Sequence, residues 1–264
     1  MKPSILFVGA GRMAEAIISG LQNKKHDQIK DIFVTNKSNP TRLKELESKY
    51  GVIPKNQLID RITQVDIIVL AMPPKDHEEV LKNIYPYITN QLIITIAAGI
   101  GPEHLEKRLP KETAVGWIMP NTAAEVGQSI SLYAYGHFIT DTHKQQMELI
   151  VNSIGASQYC SEEEIHKLTA ITGSSPAFLY QFVESLISMT EELGMTKDVA
   201  QKLVTEMVIG SAEMLKTGKL PSDLREQVTT PGGATAEGLK VLKMGNFEQL
   251  IKNAVIATNK KAKG

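Results

Sequence analysis

At 264 residues, 42% hydrophobic and 22% charged, the chain has the make-up of a soluble globular protein with enough apolar material for one large or two modest cores. Lys+Arg and Asp+Glu both number 29, so there is no global basic field to recruit nucleic acid or an anionic membrane, and any anionic ligand must be bound locally. The single cysteine, Cys160, excludes an intrachain disulfide and a thiolate metal site and fits a reducing cytoplasm; the six scattered histidines lack metal-ligand spacing, so no metal is expected.

Met1-Lys2-Pro3-Ser4 leads straight into Ile5-Leu6-Phe7-Val8, too short an apolar run for a signal segment, and no run approaches membrane-spanning length. Four large apolar residues in a row predict a strand buried on both faces. Met13, Ala16, Ile17, Gly20 and Leu21 then recur at helical spacing. Between them stands Gly9-Ala10-Gly11-Arg12-Met13-Ala14, a G-x-G-x-x-A turn of the dinucleotide-binding type. Gly9 permits the tight turn, Gly11 lets a pyrophosphate approach the backbone, and Ala14 allows close helix packing. Arg12 and Met13 open the helix whose N-terminus would receive the phosphates.

A second strand over 31–36 ends in Asn36-Lys37-Ser38, without the carboxylate that an NAD enzyme places there against the ribose. Donors and positive charge, with Arg42 nearby, favour NADPH over NADH. A helix starts at Pro40, residues 51–54 form a short edge segment, and a third buried strand over 66–71 ends in the stiff loop Ala71-Met72-Pro73-Pro74. Ligands of parallel sheets sit at such carboxyl edges. A helix from Asp76 leads to a fourth strand over 91–96, whose end, Ala97-Ala98-Gly99, is small enough for a flat ring to lie against backbone. Residues 113–120 and 128–135 read as two further strands, 141–153 as a helix and 157–160 as a last strand. The alternation predicts a Rossmann-type doubly wound α/β sheet.

From Ser161 the pattern changes. Ser161-Glu162-Glu163-Glu164 is a capping box and no strand follows, which places a boundary between a nucleotide-binding domain over 1–160 and an all-α domain over 161–264. Helices are expected over 162–172, 176–193, 197–216, 221–228, 235–244 and 247–261. Their wide apolar faces, such as Phe178, Phe182 and Met189 or Leu203 and Met207, predict an isologous homodimer. His166 and Glu164 read as helix-surface groups, and Lys260, Lys261 and Lys263 as a frayed terminus. Pro231-Gly232-Gly233-Ala234-Thr235 is a glycine turn opening a helix, suited to a small carboxylate on Gly232 and Gly233 amides with the Thr235 hydroxyl beside it. Spacing alone leaves open a turn in which Thr235 merely satisfies backbone.

Taken with Gly173-Ser174-Ser175-Pro176-Ala177-Phe178, Met119-Pro120-Asn121-Thr122 and the N-terminal glycine turn, this segment closely resembles the pyrroline-5-carboxylate reductases over nearly the whole chain. The resemblance implies a Rossmann domain, a dimerising helical domain, and reduction of 1-pyrroline-5-carboxylate to L-proline by direct hydride transfer from NADPH or NADH. By position it implies that Thr235 contacts the ring nitrogen and that Gly232 and Gly233, with Ser174, hold the substrate. It also implies that Asn36, Lys37, Ser38 and Asn56 surround the adenosine phosphate, and that Ala97, Ala98 and Gly99 lie beside the nicotinamide. The chain departs from the family pattern at Trp117, where an arginine is common, at Pro73, where a lysine is common, and at Ser175, where a glycine is common. A paralogue with another imine substrate and a non-catalytic nucleotide-binding regulator are the alternatives.

Overall fold

The computed structural model describes residues 2–55 and 58–262. Strands β1 (Ile5–Val8), β2 (Ile32–Thr35), β3 (Ile53–Lys55), β4 (Ile67–Leu70), β5 (Leu92–Thr95), β6 (Val115–Met119), β7 (Ser129–Tyr135) and β8 (Gly155–Tyr159) form one sheet in the order β3-β2-β1-β4-β5-β6-β7-β8. The strands β1, β2, β4 and β5 are four-residue runs, apolar but for the closing Thr35 and Thr95, with every residue buried because helices cover both faces. Alternate side chains divide between two cores. Ile5, Phe7, Ile67 and Val69 pack under helices α1 (Arg12–Lys25) and α5 (Asp141–Val151), whereas Leu6, Val8, Ile68 and Leu70 pack on the other face with Leu81 and Ile84 of α3 (His77–Ile84). Helix α2 (Pro40–Tyr50) follows β2, and the five-residue helix α4 (Pro102–Glu106), absent from the sequence reading, follows β5.

Chain order runs outward from β1 in one direction and from β4 in the other, so the carboxyl ends of β1 and β4 flank the crevice where such sheets bind ligands. The strand β7 runs antiparallel to β6. The Pro120–Gln128 connection is too short for a parallel crossover, which takes a dozen or more residues; α5 then carries the chain to β8, parallel to β7.

Helix α6 (Glu162–Thr169) begins with the expected capping box: Glu164 donates its backbone N–H to Ser161 Oγ at 3.2 Å and returns its carboxylate to the Ser161 N–H at 2.8 Å. A π-helical turn, Ala170–Ser174, leads into α7 (Ser175–Glu192), α8 (Lys197–Leu215), α9 (Pro221–Gln227), α10 (Ala234–Met244) and α11 (Phe247–Ala262). By its contacts the chain divides into a first compact unit that runs to Gly173 and takes in the chain from Asn259, and a second over Ser174–Thr258. Helix α6 therefore packs with the sheet. Lys260 and Lys261 are helical rather than frayed, because Asn259 beside them accepts from the Ala170 N–H (3.3 Å) and donates to the Lys167 carbonyl (2.8 Å); Lys263 lies outside the described residues.

The second unit has almost no interior of its own. Ala200 and Val204 are buried, but Leu179, Phe182, Met189, Leu203, Met207 and Ile209 are all exposed. Such an area of apolar helix surface marks an interaction face. No helix of the structure is long and apolar enough to cross a membrane, and no group of His, Cys, Asp and Glu among the described residues could hold a metal.

Candidate active site

The glycine turn stands at the crevice. Gly9 has φ +112°, and a Cβ there would lie 2.5 Å from the Ala71 carbonyl oxygen, so the ends of β1 and β4 meet only because Gly9 has no side chain. Gly11 is the N-cap of α1 and no side chain caps the helix; the first helical bond is Glu15 N–H to Gly11 carbonyl (3.0 Å), which leaves the Arg12, Met13 and Ala14 amides without helical partners. Nothing lies within 4 Å of where a Gly11 Cβ would be. Free amides at the positive end of a 14-residue helix, beside open space, fit a dinucleotide pyrophosphate. The Arg12 guanidinium turns away to pair with Glu125 at 2.9 Å.

Behind the turn, Glu15 accepts from Lys49 (2.9 Å), Tyr50 (3.0 Å) and Arg42, and Arg42 Nε donates to the Ala10 carbonyl (3.1 Å). Arg42 therefore braces the turn and is not free for a 2′-phosphate, contrary to the sequence expectation. The hydrogen bonds from Lys49 and then Arg42 bring the Glu15 carboxyl down to about 2. Its folded value lies below the unfolded value of about 4.3, so this stabilisation is present above that pH and is lost as pH falls toward 2. Glu15→Gln should cost about 1 kcal/mol at pH 7, allowing for solvent screening. It should also flatten the loss of stability between pH 5 and 2, read from urea unfolding across that range.

At the carboxyl end of β2, a cleft of about 280 Å³ is bounded by Gly9, Thr35, Asn36, Lys37, Met72 and Glu79. Asn36 spends its side chain on its own loop, donating to the Asn39 carbonyl (2.7 Å) and accepting from the Asn39 N–H (3.1 Å). Ser38 is exposed, and Lys37 reaches across to Glu79 at 3.2 Å. Asn56 lies outside the described residues. The cationic character expected after β2 thus comes from Lys37, held by an acidic partner.

On the other side of the crevice, Ala71 and Met72 are half-buried and Pro73 is exposed. Ala97 is buried, while Ala98 and Gly99 are exposed in a turn closed by Ile100 N–H to Ala97 carbonyl at 3.4 Å. The same carbonyl accepts from Trp117 Nε1 at 3.0 Å. Trp117 is fully buried and its ring lies 5.0 Å from that of His166, which is half-buried on α6 rather than a surface group. Asn121 ties the Met119-Pro120-Asn121-Thr122 stretch to the π-turn by donating to the Thr172 carbonyl at 3.0 Å, immediately ahead of Gly173 and the half-buried Ser174.

In the second unit, Gly232 has φ +72° and turns the chain into α10, whose N-cap is Gly233 and which no side chain caps. One amide expected to be bare is not: Gly233 N–H closes the turn on the Thr230 carbonyl at 2.9 Å. The first-turn amides of α10 replace it as available donors. Thr235 is exposed in that turn and its hydroxyl makes no hydrogen bond among the described residues, so the backbone-satisfying role that spacing left open is not the one it plays.

A family model described as pyrroline-5-carboxylate reductase dimerisation matches residues 162–264, and one described as NADP oxidoreductase, coenzyme F420-dependent, matches 4–99. Pyrroline-5-carboxylate reductase 2 of Bacillus subtilis is 34% identical over 97% of this chain and 92% of its own. The chain belongs to the pyrroline-5-carboxylate reductase family. Pyrroline-5-carboxylate reductase 1 of the same organism is 36% identical over 98% of this chain and 88% of its own. Among solved structures, the Coxiella burnetii pyrroline-5-carboxylate reductase superposes with TM-score 0.91 at 31% identity, covering 100% of this chain and 98% of that one. The Plasmodium falciparum pyrroline carboxylate reductase, solved with NADP bound, superposes with TM-score 0.88 at 31% identity and the same coverage.

Proposed function

We propose that this member of the pyrroline-5-carboxylate reductase family reduces 1-pyrroline-5-carboxylate to L-proline, the last step of proline biosynthesis, in the cytoplasm and with NADPH as preferred cofactor. The observation that carries the reading is the pairing, in one chain, of two uncapped glycine-led helix N-termini. One, at Gly9–Gly11, suits a pyrophosphate, and the other, at Gly232–Gly233, suits a carboxylate with a free hydroxyl beside it. When bound, the nicotinamide supplies a hydride to the imine carbon. The chain's own residues orient and hold. Amides of α1 take the pyrophosphate, and Lys37 with Ser38 meets the 2′-phosphate, which competes with Glu79 for the Lys37 ammonium. The small residues Ala97, Ala98 and Gly99, with Ala71 and Met72, bound the nicotinamide half.

The carboxylate of the substrate sits on the first-turn amides of α10 and the Gly232 loop, with Ser174 in support, and the Thr235 hydroxyl hydrogen-bonds the imine nitrogen. A hydroxyl is too weak an acid to protonate that nitrogen at neutral pH; Thr235 positions it and relays a proton that comes from water. With the helices of the second unit, Ser174–Thr258, as the dimerisation and substrate region, two copies cover each other's exposed helices. Met207→Glu, placing a charge on the exposed face of α8, should shift the protein from dimer to monomer in sedimentation velocity.

The test of the function is the loss of nicotinamide absorbance when pure protein meets pyrroline-5-carboxylate with NADPH or NADH. Turnover, faster with NADPH, is the expected result. Tight NADPH binding without turnover would overturn the substrate assignment, and equal rates with the two nucleotides would overturn the preference.

A further inference from the structure

One buried histidine plays no part in the site described so far. His77, the first residue of α3, has no exposed surface. Its Nδ1 is 3.2 Å from the Pro73 carbonyl and its Nε2 is 3.1 Å from Thr95 Oγ1. A carbonyl only accepts, so Nδ1 carries the proton. In the neutral ring Nε2 then accepts from the Thr95 hydroxyl, whose oxygen accepts from the Ala97 N–H at 3.2 Å. Burial, the largest influence, disfavours the charged ring and outweighs the hydrogen bond to the Pro73 carbonyl, which favours it; His104 acts with burial and Asp76 against it. At its far end the chain of bonds continues through the Ala97 carbonyl to Trp117 Nε1 at 3.0 Å. One continuous run therefore joins the loop after β4, the loop after β5 and β6. Each donor along it meets an acceptor, an arrangement that rigidifies a buried site.

We propose that His77 is a positioning residue for the nicotinamide half of the cofactor, locking the Met72–Pro74 loop to the Ala97–Gly99 loop so that the two present one preformed surface. The inference rests on the cofactor reading above, since only a ligand lying across both loops would feel their spacing. The cost of a cofactor site left loose falls on binding first, because loops ordered at the moment of binding subtract from affinity. Of the two departures from the family pattern nearest the crevice, Pro73 contributes the carbonyl at one end of this run and Trp117 the donor at the other.

Three variants separate the roles: His77→Leu removes both bonds, His77→Gln can keep the one to Thr95, and Thr95→Val removes only the hydroxyl while keeping the strand-favouring shape. NADPH affinity is read without substrate, from the fluorescence of the bound nicotinamide. The state of the Ala97 turn is read from the emission of Trp117, the chain's one tryptophan. His77→Leu and Thr95→Val should each weaken NADPH binding about tenfold and raise KM for NADPH in step, with kcat at saturation within about threefold and the Trp117 emission shifted. His77→Gln should restore part of the affinity. Folded His77→Leu binding NADPH within twofold of the parent would overturn the proposal; if that variant does not fold, the same result for Thr95→Val would overturn it. A parent chain that binds NADPH but does not reduce pyrroline-5-carboxylate overturns the proposed substrate and leaves the role of His77 to be decided by affinity. A parent that binds no nicotinamide nucleotide overturns both.

Discussion

Gly9→Ala should lose about 3 kcal/mol or more of folding stability and bind no measurable NADPH. The added methyl would meet the Ala71 carbonyl oxygen at 2.5 Å, its carbon at 2.7 Å and the Met72 nitrogen at 3.1 Å, all of them backbone. Those atoms cannot swing aside as a side-chain end could. Ala71 N–H is bonded to the Val8 carbonyl at 2.8 Å, and Gly9 N–H to the Thr35 carbonyl at 2.8 Å, so the clash sits where β1 is held by strands on both sides. The backbone angle adds to it, since φ +112° is a region that alanine rarely adopts. Gly11→Ala is the informative companion. With φ −73° and nothing within 4 Å of the new methyl, it should unfold at nearly the parent temperature, while NADPH affinity falls tenfold or more because the methyl fills the approach to the α1 amides. Thermal unfolding by circular dichroism and NADPH titration of both variants check this. Equal losses of stability in the two would refute the assignment of separate roles.

That contrast marks how far the sequence could be read. The strands were legible because a parallel sheet covered on both faces leaves unmistakable apolar runs at 5–8, 67–70 and 92–94. The glycine turn was legible because its spacing is local. Helix α4 was not, since five residues are too few to carry a helical period. The reversal of β7 follows from the shortness of one loop rather than from its composition. The electrostatic detail is hidden for a different reason: Arg42 reads as a free donor until its tertiary contact with Ala10 is seen, and Asn36 until the local turn closed on Asn39 is seen. Metal-ligand spacing says nothing of His77, whose partners are Pro73 in the loop after β4 and Thr95 at the end of β5. Trp117 illustrates the same limit, because a departure from a family pattern does not say what the new side chain holds, and here it holds the Ala97 carbonyl.

Thr235→Ala should lower kcat for pyrroline-5-carboxylate by roughly 30- to 1,000-fold, corresponding to about 2–4 kcal/mol of barrier for one preorganised donor. Stability should change by less than about 0.5 kcal/mol, because the side chain is exposed and bonded to nothing among the described residues. Its position explains why so much is expected of one hydroxyl. It stands in the first turn of α10, immediately after a glycine turn made rigid by Gly233 N–H to Thr230 carbonyl, so it needs little reorganisation to meet a substrate whose carboxylate is fixed by the adjoining amides. Thr235→Ser keeps the hydroxyl and should retain most of the rate, losing only what the methyl contributes to holding the rotamer. NADPH affinity should be the same in all three proteins, since the glycine turn at α1 is untouched. A Thr235→Ala enzyme with parental kcat, or one whose defect lies wholly in NADPH binding, would remove Thr235 from the chemistry.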